Sequence, residues 1–466
     1  MTRQNALRIA TTGARLVAGA VVSAACVVAA VVAVPAAWPT VERAPAHTTV
    51  KPVAGDTLLT CAGPFRALGR DASRATELST AGTPSVVSGA APGSRLAQKS
   101  IAIAGVPDAR QAPMFTAAPN GQDPAEVAAA ESLSIAAEDL AGFAASACRP
   151  PSMESWIVGG AGTTGSNDIL LIANPGAVTA TVTFTEYGSQ GGGMHTTEVV
   201  VPAGTQSSIP LAAGAAGEAT PVVRVTSSGA AVRAALQSSL IRTLDPVGID
   251  VQDAIARPSK AQSLLGVRAV VQSDDDDNPS TAVRLLAPST DAIVMLQPRN
   301  AADGTPAGAA KKVQLTAGQV GSVDFSALKA GLYSIDVTST APVVAAAWET
   351  TGLGKGSDFA WMTPAPDITG STAFAVADGP APLLHLQNAS TSAATVEFTP
   401  VRGGATQRIT LAAGGAATVP VAARAVYALS SPTAVRAAVS YYAEGKLAGY
   451  PVWPTDAVAA PIAVYQ

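Results

Sequence analysis

The chain has 466 residues, 13% of them charged and 48% hydrophobic, with a net charge of −4. At ~150 residues per domain the length suggests three domains. Charge-driven disorder is excluded by the apolar content, and nucleic-acid binding by the acidic balance and the lack of a basic block. Only three His and three Cys occur, which argues against a standard metalloenzyme.

Residues 16–34 run without a charge, and Arg3, Arg8 and Arg15 precede them. The positive-inside rule places those arginines in the cytoplasm and everything after Pro35 outside. The run is longer than the ~7–15 residues of a signal-peptide core and close to the ~20 of a spanning helix. The expectation is a transmembrane signal-anchor over 16–34 after a cytoplasmic stretch at 1–15. The alternative is secretion after cleavage near Val34-Pro35-Ala36. Cys26 reads as a small apolar residue inside the span. Residues 35–55 contain Pro35, Pro39, Pro45 and Pro52 and read as a semi-rigid spacer.

Outside the membrane, Cys61 and Cys148 form an expected disulfide, with two free buried thiols as the alternative. Closing a loop of roughly 90 residues is worth ~4–5 kcal/mol in the chain-entropy model. Residues 62–122, rich in Gly, Pro, Ser and Ala, read as long surface loops. Residues 123–147 predict a helix. Asp123 stands at the cap, Pro124 at the first helical position, and Glu126 at capping-box spacing. Leu133, Ala137, Leu140 and Ala144 then share one face.

From Trp156 onward, short β-prone runs alternate with Gly, Pro and Asn turns. Three sub-patterns recur in the same order, which marks an internal repeat. The first, strand–turn–strand, occupies 169–184, 282–296 and 383–398, with Asn174-Pro-Gly and Asn388-Ala-Ser as turn chemistry. The second places an Ala-Gly turn between strands, at Gly204, Gly318 and Gly414. The third is a closing strand pair near 222–236, 333–347 and 427–439, followed by loosely matching tails. The fold expected is mostly β: three tandem immunoglobulin-like sandwiches over 56–272, 279–367 and 370–466. A β-propeller-like array is the alternative.

No catalytic, cofactor or metal residues are assigned. His47, His195 and His385 lie in different segments without metal-ligand spacing. The acidic run Asp274–Asp277 reads as a solvated linker, since calcium-loop spacing is missing. The glycine runs at 159–165 and 188–193 lack the Lys-Ser/Thr of a phosphate loop. Trp348, Trp361 and Trp453 fall in closing strands or tails, where packing is the expectation and sugar stacking the alternative.

Leu58-Leu-Thr-Cys61, the lone Cys148, Trp156-Ile-Val-Gly-Gly160, Leu170-Leu-Ile-Ala-Asn-Pro-Gly176, Val200-Val-Pro-Ala-Gly204 and Asp245-Pro-Val-Gly-Ile-Asp250 carry a resemblance. The chain resembles an uncharacterised actinobacterial family of membrane-anchored or secreted cell-envelope proteins, a domain of unknown function. The resemblance implies no catalytic residues. Members tend to be encoded near envelope glycosyltransferases, which implies a role in envelope polysaccharide assembly. The expectation is a non-enzymatic scaffold or accessory subunit in the cell membrane, its C-terminal part extracellular. Its partners would be the membrane, envelope proteins or glycans, with neither nucleic acid nor a small-molecule cofactor. A glycan-binding sandwich array is the second reading, and a hydrolase or transferase with an interdomain site the third.

Overall fold

The computed structural model describes residues 3–33, 47–50, 54–69, 77–106, 111–191, 195–271, 279–454 and 462–465. They divide into two compact units, Met1–Lys51 with Pro461–Gln466, and Pro52–Ala460.

In the first unit a helix runs from Arg3 to Ala33. Its Thr12–Val31 window has a mean hydropathy of 2.1 and is wholly exposed, so it is long and apolar enough to cross a membrane. The strand His47–Val50 pairs antiparallel with Ile462–Tyr465. Spacer residues 35–46 and 51–53, with the cleavage-site residues, lie outside the described residues.

The second unit is built of β-strands, and the repeat has a structural counterpart. In the first sandwich, one sheet has the order Glu154–Val158, Val222–Ser228, Ala180–Tyr187, His195–Val201. The facing sheet contains Thr205–Pro210, Ile169–Asn174, Arg233–Arg242 and Asp245–Asp253. The second sandwich repeats this pairing from Ser259–Ala269 to Phe359–Met362, and the third from Ile368–Val376 to Lys446–Pro451. In these two, the closing pair is one continuous strand, Gly331–Thr350 or Ala425–Ala443, that passes from one sheet into the other. Ser259–Ala269 pairs with Gly331–Thr350, so the second sandwich begins before the acidic run at 274–277. That run lies outside the described residues.

The turns follow their chemistry. Asn174 and Asn388 are buried at equivalent corners. Each accepts a backbone N–H two residues on (3.0 Å from Gly176, 2.9 Å from Ser390) and donates across its turn to Val178 or Ser392. Gly204, Gly318 and Gly414 have φ of 66°, 76° and 66°, a region that disfavours side chains. Each sandwich has its own apolar core, around Phe184, Phe325 and Phe398.

The helix expected at 123–147 does not form. Val127–Ala136 and Ala141–Ala147 are antiparallel strands, and Val127–Ala136 also pairs with Ser85–Ala90. Ala128, Ala130, Phe143 and Ala145 join the core of the third sandwich. Tertiary packing has overridden alanine's helix preference, which is a weak prior. The alternation Ser132-Leu133-Ser134-Ile135 carries a strand signal: Leu133 and Ile135 pack on one face, Ser134 is exposed, and the buried Ser132 donates to the Asp378 carbonyl. Asp123 closes a turn with Asn120 instead of capping, and the Glu126 carboxylate accepts from Ser371. Residues 62–122 are likewise no loop region. They hold Phe65–Leu68, Leu78–Gly82, Ser85–Ala90, Ala97–Ile103 and Ala112–Ala117. Ala97–Ile103 joins Thr205–Pro210 in parallel and extends the first sandwich's sheet through Ala112–Ala117 to Thr57–Thr60.

Candidate functional site

Cys61 is bonded to Cys148 in a buried apolar cluster with Leu59, Phe115 and Val127, so the free-thiol alternative does not hold. Cys26 stays free in the N-terminal helix. Both half-cystines abut buried charge. The N–H groups of Ala62 and Gly63 donate to the Glu131 carboxylate at 2.6 and 3.1 Å. Arg149, next to Cys148, lies 3.6 Å from Asp253 Oδ2, with its guanidinium 3.7 Å above the Trp453 ring. Arg233 pairs with Asp253 Oδ1 at 2.9 Å, and Arg66 donates to Gln206. Burial pushes the Glu131 carboxyl up to about 7, against the pull of Arg233 and the two N–H groups. Burial lowers Arg66 to about 10 and Arg149 to about 9. The guanidinium groups therefore stay charged at neutral pH.

A second buried centre joins the sandwiches. The tails Asp245–Asp253, Phe359–Met362 and Lys446–Pro451 pack around one another with Ala141–Ala147. Asp358 is fully buried between them. Its Oδ1 accepts from Ile249 N–H at 3.1 Å, and its Oδ2 from Phe143 and Leu447 N–H at 2.9 and 3.0 Å. A carboxylate of the second sandwich thus holds the first, the third and the disulfide-closed segment. A Cβ on Gly142 or Gly248 would come within 2.6 or 2.7 Å of Asp358 Oδ1, so the backbone approaches this closely only because both are glycine. Asp250 adds a bond from Trp361 N–H at 2.9 Å. The tails match only loosely in sequence, which is why the hub was not read from it.

His195 and His385 differ in setting. His385 is buried beside Ser440 (2.7 Å) and Thr418 (3.2 Å), and burial drives its pKa down to about 3. His195 is exposed, 3.8 Å from Glu186. The side chain of His47 lies outside the described residues. Among the described residues no group of three or more His, Cys, Asp or Glu is arranged to hold a metal ion.

A cleft of about 640 Å³ separates the first sandwich from the second. Asp168, Arg284, Trp348, Phe359 and Trp361 line it, with Thr163, Ser166, Ser238 and Ser239 on the first sandwich's side. The loop with the first glycine run supplies backbone here: Gly160 carbonyl accepts from Arg284 at 2.8 Å, and Ala161 N–H donates to Asp168 at 2.6 Å.

Burial pushes Asp168 up to about 6 and Asp250 and Glu349 up to about 8. With Glu131, these carboxyls hold protons in the folded chain that the unfolded chain has released above ~4.5. Their stabilisation is complete below that value and is lost as pH rises through about 6 to 8. His385 has the opposite sign: stability is lost as pH falls below its unfolded value of ~6.5. The urea midpoint is therefore expected to be higher at about pH 6.5 than at about pH 8.5, a trend that Glu349→Gln should weaken. A midpoint that rises over this interval contradicts the assignment.

The helix, the disulfide and the hub define the class: a multi-sandwich β protein with an apolar N-terminal helix. The chain belongs to a family of unknown function, DUF5719, whose model matches residues 103–422. No curated protein matches the chain. Among solved structures, the FN1–FN3 domains of chicken CNTN1 align at 10% identity and a TM-score of 0.12, over 68% of this chain and 100% of theirs. The BSP domain of a biofilm-associated protein aligns at 9% and 0.13, over 91% of this chain and 100% of its own.

Proposed function

We propose that the chain is a non-enzymatic, exported cell-envelope protein that acts as a scaffold or accessory subunit in envelope polysaccharide assembly. The Asp358 hub carries this reading. One buried carboxylate locks all three sandwiches and the disulfide-closed segment into one body, a construction suited to holding partners at fixed separation. The apolar helix supports tethering, and the disulfide supports an oxidising location. The helix acts as an uncleaved anchor, with Pro52–Ala460 outside the membrane.

The reading predicts that in the native host the chain fractionates with membranes. A protease added to intact cells should digest everything after the helix. A thiol-reactive polymer should label Cys61 and Cys148 only after reduction. Deletion should lower envelope polysaccharide, and full-length protein should capture envelope-assembly proteins. Cytosolic recovery with both cysteines reactive before reduction overturns the proposal.

A further inference from the structure

We infer that the cleft between the first and second sandwiches is a binding site for a neutral saccharide, with Trp348 as its stacking platform. This stands whether or not the chain is tethered, so its failure would not touch the proposal above.

The aromatic surface is preorganised. Trp348 is half-buried, stacks on Phe359 at 4.6 Å and meets Trp361 edge-on at 5.3 Å. A large ring held by two others gives up little conformational freedom when it accepts the C–H face of a pyranose. The first sandwich's side of the cleft bears hydroxyls, including Thr163 and Ser166. Each hydroxyl both donates and accepts, which matches the dual character of sugar hydroxyls. The volume of about 640 Å³ falls within the ~300–1,000 Å³ of small-ligand sites.

The charges in the cleft are already engaged. Arg284 donates to the carbonyls of Gly160 at 2.8 Å and Pro221 at 3.0 Å, and its guanidinium lies 4.7 Å from the Trp361 ring. Asp168 accepts from Ala161 N–H. Arg242, the third charged residue in the lining, is not free either, so no charge is left for a phosphate or a carboxylate and a neutral ligand fits best.

The mouth supplies an independent observation. Thr243, which lines the cleft, sits at the tip of the Arg233–Arg242/Asp245–Asp253 hairpin with φ of 60°. A β-branched residue there is a strained outlier, and such strain clusters at ligand clamps. The adjacent Leu244 is 87% exposed, an apolar side chain placed beside the entrance.

The test uses the full chain in a detergent without a sugar headgroup. Maltohexaose, cellohexaose and linear galactan and arabinan oligosaccharides are titrated to ~10 mM by calorimetry and tryptophan fluorescence. Polygalacturonate serves as the anionic comparison. The expected result is saturable binding of at least one neutral oligosaccharide, weakened about tenfold or more by Trp348→Ala. Thr164→Trp, at an exposed rim position, should block the cleft and decide the matter if Trp348→Ala does not fold. No saturable binding, binding that both variants leave unchanged, or a preference for polygalacturonate overturns the inference.

Discussion

Asp358→Ala is expected to destabilise Pro52–Ala460 by about 3–9 kcal/mol. Three backbone N–H groups, from Phe143, Ile249 and Leu447, would lose their acceptor in a dry interior. Each buried donor left unmade costs about 1–3 kcal/mol. Folding free energies are only ~5–15 kcal/mol, so the loss is a large share of the total. Because the three donors lie on different parts of the chain, the damage should also lower cooperativity. Urea unfolding followed by tryptophan emission and by far-UV dichroism should show two non-coincident transitions, where the parent shows one. Asp358→Asn should fall between: its one carbonyl oxygen still accepts, while its amide N–H groups oppose backbone N–H groups. A shift below about 1 kcal/mol for the alanine variant would show that the hub does not hold the sandwiches together.

The legible part of this fold is the part written locally. Asn174, Asn388 and the Ala-Gly turns punctuate β-prone runs, and backbone conformation alone demands those residue types, so the threefold repeat can be read without a partner strand in view. The illegible part depends on what arrives from elsewhere in the chain. Residues 127–147 are alanine-rich, and alanine fits a helix as well as a strand that must lie close to a neighbour. The third sandwich, contributing Phe374, Phe398 and Tyr427, packs one face of these residues, and the clusters around Phe115 and Phe65 pack others, which decides for the strand. Asp358 looks like any polar residue ahead of an apolar run, since its three donors are 89 to 215 positions away. The disulfide was legible because setting aside Cys26, in the apolar helix, leaves only two cysteines in the chain. The charges beside it were not: Glu131 sat within an expected helix, which gave no reason to place it beside Cys61.

Opening that disulfide is the other large effect. Cys61→Ala with Cys148→Ala, or reduction of the parent, is expected to cost about 4–5 kcal/mol through the freed unfolded chain. A further loss follows in the folded state, because the bridge fixes the backbone beside two buried charges. Ala62 and Gly63 N–H groups hold Glu131, and Arg149 is set between Asp253 and Trp453. If that backbone relaxes, Glu131 loses donors that favour its charged form, and its carboxyl should rise above the present value of about 7. The penalty of opening the bridge should therefore stay near the loop-entropy value at about pH 6, where Glu131 is largely protonated, and grow toward about pH 8, where the relaxed fold must ionise it with fewer donors. Hydrogen exchange should accelerate first in Phe65–Leu68 and Val127–Ala136, while the second sandwich stays protected. Two results would separate the contributions. A penalty independent of pH would leave only the entropic effect. Uniform acceleration across all three sandwiches would mean that the bridge supports the hub, with Phe143, on the strand paired to Val127–Ala136, carrying the disturbance to Asp358.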